Sequence, residues 1–402
     1  MSSSHPGSVI HSHLLYDNIG FQEVFREVHW RVAILVKIYP FHPVPRTGQT
    51  SRMATLLPRG YRSATEHCFD EEQAEAIVRT TAYHRKDFCL SVIWFSPHEH
   101  VDIRPSIATP FQRTSNVGVG SLDRLPLELL FDTLYCLDMH SLFKFRQINL
   151  RSRHIVDSLQ QYQRVVSYGL NLFCALLRTR LAVHISLLDF YNALCTKACN
   201  FCGEFGGFMS LLIWKRCCFN CLQWSSETQV RTLASVRKQF HMTKAELDQL
   251  RSFKALPGIY SMNESVQNSR ITIVSLYQAT LACRRQPPRL PQAQPAALNR
   301  NQKINFMGSC ALPYYDKQTC RVERGISCAG CQLGIEKGII GTRGTKWGYE
   351  ARDKVYAQDS FLEHFQWCEQ AQLLWRSSGE GKNRPPELPV SARTGGYFRR
   401  RE

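Results

Sequence analysis

Two cysteine pairs constrain the middle of the chain more than any other feature of the sequence. Cys199 and Cys202 form one Cys-x-x-Cys pair, and Cys218 and Cys221 form another after a gap of fifteen residues. Each pair can direct two thiolates at one cation, and two such pairs complete a tetrahedral four-sulfur site. The spacing predicts zinc in preference to a redox centre, because a thioredoxin-like motif requires a strand–helix–strand setting that this helical region lacks.

One alternative stays open within this predicted ligand set. Cys217 immediately precedes Cys218, so Cys217-x-x-x-Cys221 is also a possible pair. We prefer Cys218 because its spacing mirrors that of the first pair. Four sulfur ligands leave no position for water or substrate, so we expect the metal to stabilise the fold and not to catalyse a reaction.

A second metal site is predicted in the last third of the chain. Cys328 and Cys331 form a further pair in "SCAGC", and a helix starting near Ser360 would place His364 and Cys368 one turn apart on one face. Three cysteines and one histidine make a zinc site reminiscent of a treble clef. The alternative is a buried histidine beside ordinary core cysteines.

The distribution of cysteine agrees with metal binding. Of the 16 cysteines, six fall between Cys195 and Cys221 and five between Cys310 and Cys368. The start "MSSSHPGSVIHSH" does not resemble a secretory signal, and the apolar runs are too short to span a membrane. We therefore expect a soluble cytoplasmic or nuclear protein, a reducing setting in which clustered cysteines are more often metal ligands than disulfides.

The pattern along the 402 residues predicts a mostly helical α+β protein. Asp70 should cap one helix, Thr243 and Glu246 should begin another, and 269–279 should form a strand. The predicted parts are an unassigned and poorly ordered extension (1–118), a three-helix module (119–160), a helical region with the four-cysteine site (161–230), a short helix and strand region (231–283), a Pro-rich linker (284–300), a strand and helix module with the second zinc site (301–376) and a basic tail (377–402).

The three-helix module carries more apolar surface than one small core requires. Pro126 suits the start of a helix, after which Leu130 and Leu134 recur on one face. Ser141 is expected to cap the second helix, and Ile155 marks the third. The surplus predicts a docking face for another protein, or packing of that face against the C-terminal half of the same chain.

The segment "LPLELL…LYCLDMHSLFKFRQIN" resembles an F-box. In that family it docks on the Skp-type adaptor of Skp–cullin–F-box (SCF) ubiquitin ligases. The sequence departs from many F-boxes by having Ser152 where the third helix usually carries a large residue. Together with the cysteine clusters, the region 118–375 resembles F-box proteins that are numerous in filamentous fungi. The resemblance implies that the adaptor contacts, or their immediate supports, are Leu125, Pro126, Leu129, Leu137 and Leu142.

Charge and motif content bear on the class of function. Residues 231–402 carry 27 Lys and Arg against 14 Asp and Glu, most of the net charge of +17. The sequence has no nucleophile elbow, no phosphate-binding glycine loop and no interpretable carboxylate pair. We therefore expect a non-catalytic substrate receptor of a ubiquitin ligase, with an unknown protein substrate. The alternatives are a zinc-dependent nucleic-acid-binding regulator and a zinc hydrolase, which would require an open metal position.

Overall fold

A computed structural model describes residues 62–101, 104–110, 113, 117–283, 303–339 and 346–398. These residues form an α+β structure dominated by helices, as the sequence predicts. The predicted linker 284–300 and the last four residues of the predicted tail lie outside the described ranges. Among the described helices, none combines the length and apolar character that a membrane crossing requires.

The first part of the described chain is almost entirely helical. Helices α4, α5 and α6 occupy the predicted three-helix module, and α7 and α9 pack against them and against each other. Their buried faces share one large core that includes Leu142, Tyr162 and Phe173. The helices are α1 Glu71–Thr81, α2 Lys86–Leu90, α3 Arg104–Ala108, α4 Leu127–Cys136, α5 Met139–Arg146, α6 Leu150–Ser158, α7 Gln160–Tyr168, α8 Leu170–Thr179 and α9 Leu187–Leu194.

Side-chain caps decide where several helices begin. Asp70 precedes α1 as predicted, and its amide donates to Gln73 Oε1 over 3.1 Å. The predicted cap of α5 was wrong: Asp138, not Ser141, caps it. Asp138 Oδ1 accepts hydrogen bonds from the amides of His140 (3.1 Å) and Ser141 (2.9 Å). An aspartate before the first turn satisfies amides that have no partner within the helix, so α5 starts earlier.

A fully buried ion pair joins α5 to α6. Arg146 Nε donates to Asp157 Oδ1 over 2.7 Å, and Arg146 Nη2 donates to Asp157 Oδ2 over 3.2 Å. The same guanidinium also donates to the carbonyl oxygens of Ser106 and Thr109, so it holds the α3 segment against the module. Each nitrogen of this buried guanidinium therefore has a hydrogen-bond partner.

Replacing Asp157 with alanine should strongly destabilise the protein. The change leaves the Arg146 guanidinium buried without a countercharge, which costs about 3–5 kcal/mol when one partner of a buried pair is removed. The free energy of unfolding in urea measures the effect. The exposed Asp132→Ala on α4 is the control and should stay within about 0.5 kcal/mol of wild type. A loss below about 1 kcal/mol for Asp157→Ala would show that the pair is dispensable.

The remaining chain consists of small antiparallel sheets and short helices. The sheet orders are β3-β2-β9, β4-β8-β5, β6-β7, β10-β11 and β1-β12. The strands are β1 Ala82–Tyr83, β2 Phe208–Ser210, β3 Lys215–Cys217, β4 Val230–Thr232, β5 Ser252–Lys254, β6 Gly258–Tyr260, β7 Ser265–Gln267, β8 Thr272–Ser275, β9 Ser309–Ala311, β10 Tyr314–Tyr315, β11 Val322–Glu323 and β12 Ser327–Cys328. The helices are α10 Phe219–Trp224, α11 Leu233–Phe240, α12 Lys244–Asp248, α13 Leu276–Ala282, α14 Ala329–Glu336, α15 Lys346–Asp353, α16 Gln358–Phe365, α17 Glu369–Ser377 and α18 Val390–Thr394.

Two local predictions in 231–283 had different outcomes. The predicted capping box is present, because the amide of Glu246 donates to Thr243 Oγ1 and the amide of Thr243 donates to Glu246 Oε2. The predicted strand 269–279 is only half right. Strand β8 ends at Ser275, whose hydroxyl accepts from the amide of Gln278 over 3.2 Å and so begins α13. A serine cap ends a run whose β-branched residues favour a strand.

The described part of 1–118, a region that the sequence left unassigned, contributes to the core. Strand β1 pairs with β12, with Ala82 opposite Cys328. Phe88 stacks on Phe219 of α10 with ring centroids 3.6 Å apart. Ile77 of α1 is fully buried in the same cluster as Cys328. Residues 62–101 therefore connect the two cysteine-rich regions.

The predicted basic tail is also folded over its described part, 377–398. Helix α18 is followed by Gly395 and Gly396, and the amide of Tyr397 donates to Asp87 Oδ2 over 3.0 Å. Gly396 has φ of 132°, and a Cβ there would lie 2.0 Å from Asp87 Cγ. Arg85 Nε holds the same carboxylate over 2.8 Å. The segment 395–397 therefore closes onto Asp87 in the first turn of α2, and only glycine fits at 396.

Candidate metal centres

The first centre is formed by two loops around the sheet β3-β2-β9. Cys199 and Cys202 lie in the turn after α9, Cys218 follows β3 directly, and Cys221 lies in the first turn of α10. Their four sulfur atoms all lie within 4.8 Å of one another, and Cys202 Sγ is 3.6 Å from Cys218 Sγ. Zinc–sulfur distances of about 2.3 Å imply sulfur atoms about 3.8 Å apart in a tetrahedron. The four cysteines can therefore hold one metal ion.

Backbone amides surround these sulfur atoms in a way that suits thiolates. The amide of Phe201 donates to Cys199 Sγ over 3.4 Å, and the amide of Cys221 donates to Cys218 Sγ over 3.3 Å. Gly203 adopts φ of 79°, which lets the first loop turn back after Cys202. Hydrogen bonds to sulfur favour its charged form, which is the form that binds metal.

The structure distinguishes Cys218 from its neighbour Cys217. Successive residues of a strand point to opposite faces, and Cys217 is the last residue of β3. Its side chain is fully buried in the main core, where burial raises the pKa of its thiol. Cys218 instead belongs to the four-sulfur group. Because side chains alternate in direction along the chain here, Cys217 lies in the core and its neighbour Cys218 lies with the other three sulfur atoms.

Arg216 is a residue of this centre that the sequence did not reveal. Its side chain is buried and donates to the carbonyl oxygens of Gly206, Ala193 and Leu312. No carboxylate among the described residues forms an ion pair with it, and burial lowers its pKa to about 9. A metal held by four thiolates carries two negative charges, which would balance this buried cation.

The thiol pKa values point to the same need for a cation. Hydrogen bonds from Cys202, Cys218 and Cys221 lower the pKa of Cys199, whereas hydrogen bonding to Cys199 raises the pKa of Cys218. Four thiolates this close cannot all form without a cation, because like charges oppose one another. A divalent metal removes that conflict, so binding should release protons and weaken at low pH.

The second centre joins four elements of the chain. Cys328 ends β12 and caps α14, Cys331 lies in the first turn of α14, His364 is near the end of α16, and Cys368 directly precedes α17. Their ligand atoms also lie within 4.8 Å of one another. The amide of Cys331 donates to Cys328 Sγ over 3.3 Å, as in the first centre. Both centres thus use a cysteine that caps a short helix and a second cysteine in its first turn.

The distances within the second centre also approach those of a tetrahedron. Cys368 Sγ is 3.8 Å from Cys328 Sγ and 3.9 Å from Cys331 Sγ. His364 Nε2 is 3.2 Å from Cys331 Sγ. This distance is slightly shorter than the separation of about 3.6 Å expected when both atoms bind one zinc ion. Tyr356 stacks on the His364 ring with centroids 4.8 Å apart, which fixes the ring orientation. This group can also hold a metal ion.

The predicted arrangement of His364 and Cys368 was wrong in one respect. They do not share a helix, because α16 ends at Phe365 and α17 begins at Glu369. The intervening turn pairs with 62–67: the amide of Ser63 donates to the Trp367 carbonyl over 2.9 Å. The break redirects the chain so that Cys368 faces Cys328 and Cys331. The convergence of the four ligands therefore depends on the pairing of this turn with 62–67. The spacing of the ligands in the sequence could not show that pairing.

The residues that the F-box resemblance implied separate into two groups. Leu125 and Leu129 are 39% and 53% exposed, and Pro126 between them is also exposed. Leu137 is half-buried, and Leu142 is fully buried. Of the two expected roles, contact or immediate support, the burial of Leu142 leaves that of a support. Comparison of the chain with family models, with curated proteins and with solved structures finds no match.

Proposed function

We propose that this chain is the substrate receptor of an SCF ubiquitin ligase in the cytosol or nucleus. It would bind the Skp-type adaptor through the start of its three-helix module and a protein substrate elsewhere. It would act by positioning a substrate, without bond chemistry of its own. The observation that carries this proposal is an apolar surface, here called the leucine face, formed by Leu125, Pro126, Leu127 and Leu129.

The leucine face is exposed even though the module has a well-filled core. Leu130 and Leu134 of the same helix are buried, so α4 does not lack an inward face. Leu127 is 49% exposed and lies beside Leu125 and Leu129 in sequence. Several exposed large apolar side chains within one short segment are typical of protein interaction sites. The alternative that this face packs on the C-terminal half finds no support among the described residues, where these leucines are exposed.

Ser152 does not argue against a stable third helix. Its side chain is buried at the start of α6, where its amide donates to Asn149 Oδ1 over 2.8 Å and its hydroxyl accepts from the Asn149 amide over 3.1 Å. This reciprocal cap fixes the entry into α6. A small polar residue is what the position requires here.

We further propose that both centres hold zinc with a structural role. Sulfur-rich tetrahedral sites favour zinc or iron–sulfur clusters, and a histidine among three cysteines is common for structural zinc. Each group supplies four protein ligands, which leaves no position for a substrate. This arrangement supports the non-catalytic proposal over a zinc hydrolase.

Co-purification with the Skp-type adaptor tests the proposed function. Wild-type chain should retain the purified adaptor, and Leu125→Ala/Leu129→Ala should lose at least about tenfold in affinity, because buried leucines at an interface contribute about 1–2 kcal/mol each. The matched control is Leu281→Ala/Leu373→Ala, two exposed leucines on α13 and α17. It should bind as wild type does. Failure of folded wild-type chain to retain the adaptor would reject the proposal.

A further inference from the structure

A groove of about 1080 Å³ lies in the 231–283 region and serves neither metal centre nor the leucine face. It lies between α11, the turn that follows, α12 and the first residues of β8. Its lining contains no candidate metal ligand. His241 ends α11 with φ of 50°, a conformation that turns the chain sharply toward α12. The groove is lined on both sides of this turn.

The apolar lining of the groove is fixed by a small core. Met242 and Leu247 line it and are also buried in the cluster that packs α11, α12 and α13 against β8. Leu233 and Ile271 add half-buried apolar surface. An apolar pocket supported by packed residues can take an apolar side chain of a ligand without rearrangement.

The surroundings of this apolar lining are positively charged. Arg237, Lys238 and Lys244 line the groove and are exposed, whereas Asp248 is its one carboxylate. Within the part of the chain that the structure describes, none of these three cations forms an ion pair. Three cations that have no ion-pair partner among the described residues surround one apolar pocket, an arrangement complementary to an acidic ligand with an apolar group.

We propose that this groove binds an acidic peptide segment that carries an apolar residue. Carboxylates of the peptide would lie against Arg237, Lys238 and Lys244, and the apolar residue would enter the pocket. Assigning this peptide to the ligase substrate rests on the proposed function above, but binding itself does not. Nucleic acid fits less well, because single-stranded chains are bound largely by stacking on aromatic rings and no Phe, Tyr or Trp lines the groove.

Fluorescence anisotropy of the full chain without adaptor tests this proposal. The probe is a fluorescein-labelled peptide of repeated Glu-Glu-Leu units, compared with Glu-Glu-Gly and Gln-Gln-Leu peptides of the same length. The first peptide should bind saturably, and each comparison peptide should bind at least about tenfold more weakly because it lacks either the apolar or the acidic group. Equal binding of all three, or none by the first, would overturn the proposal.

Two charge-reversal variants test whether the peptide binds in the groove. Arg237→Glu/Lys238→Glu should weaken binding of the Glu-Glu-Leu peptide by about tenfold or more, since two favourable contacts become repulsive. Lys382→Glu/Arg384→Glu changes the net charge equally at exposed positions outside the groove and should bind as wild type does. Equal losses in both variants would show attraction by overall charge, which contradicts a built site.

Titration with a labelled oligothymidylate distinguishes nucleic acid, the competing class of ligand, from an acidic peptide. Tighter binding of this oligonucleotide than of the peptide, with a loss confined to Arg237→Glu/Lys238→Glu, would assign the groove to nucleic acid and overturn the peptide proposal. Because adaptor is absent from these titrations, their result is independent of adaptor capture. Peptide binding by a chain that fails to retain adaptor would reject the ligase assignment and keep the groove.

Discussion

Replacing Cys218 with serine should release the metal from the first centre and unfold the region around it. A serine hydroxyl is a poor ligand, and the centre joins the turn at Cys199 to the start of α10. Structural zinc binding contributes about 10–16 kcal/mol in isolated peptides, which is comparable with the whole stability of a domain at about 5–15 kcal/mol. Metal per chain should fall from two to one, with a large drop in Tm.

Cys217→Ser is the matched control for this experiment because it changes the adjacent residue in the same way. Cys217 is buried but does not belong to the four-sulfur group. A buried hydroxyl costs about 1–3 kcal/mol, so Tm should fall modestly while both metals are retained. Loss of metal in Cys217→Ser together with retention in Cys218→Ser would reverse the assignment of the ligand.

Replacing Cys331 with serine should empty the second centre alone. Cys331 Sγ contacts both His364 Nε2 and Cys368 Sγ, so its loss separates α14 from the turn between α16 and α17. Metal content should fall from two to one per chain. As in the first centre, structural zinc binding of about 10–16 kcal/mol would be lost. Trypsin should then cleave at Arg79, because α1 packs on α16 and α17.

The control for the second centre is Cys320→Ser. Cys320 is an exposed cysteine in the same part of the chain and is not among the candidate ligands. Both metals and the resistance of Arg79 to trypsin should be retained. If Cys331→Ser keeps two metals, the group is a packed histidine beside core cysteines, which is the alternative that the sequence left open.

The first centre could be predicted from sequence because its information is local. Two Cys-x-x-Cys pairs lie within one loop–hairpin–helix unit, so spacing alone indicates that they converge. The same reasoning did not reach Arg216, whose partners are three backbone carbonyls from Ala193 to Leu312. A single arginine before two cysteines forms no sequence pattern from which the burial of its side chain could be predicted.

Long-range pairing explains why the sequence could not show that residues 62–101 contribute to the core. The two-residue strand β1 pairs with β12, which lies about 245 residues further along the chain. Strands this short have no alternation of polar and apolar residues, so nothing local marks 62–101 as part of the core. The described tail is similar, since its contact with Asp87 depends on the conformation of Gly396 and not on hydrophobic pattern.

The central claim is that the leucine face binds the Skp-type adaptor, and amide hydrogen exchange of the full chain with and without purified adaptor tests it most directly. Opening of α4 is expected to be suppressed when its exposed face is covered, so exchange should slow across Leu127–Cys136 and stay unchanged across Leu233–Phe240. Unchanged exchange across Leu127–Cys136 at saturating adaptor would contradict the claim.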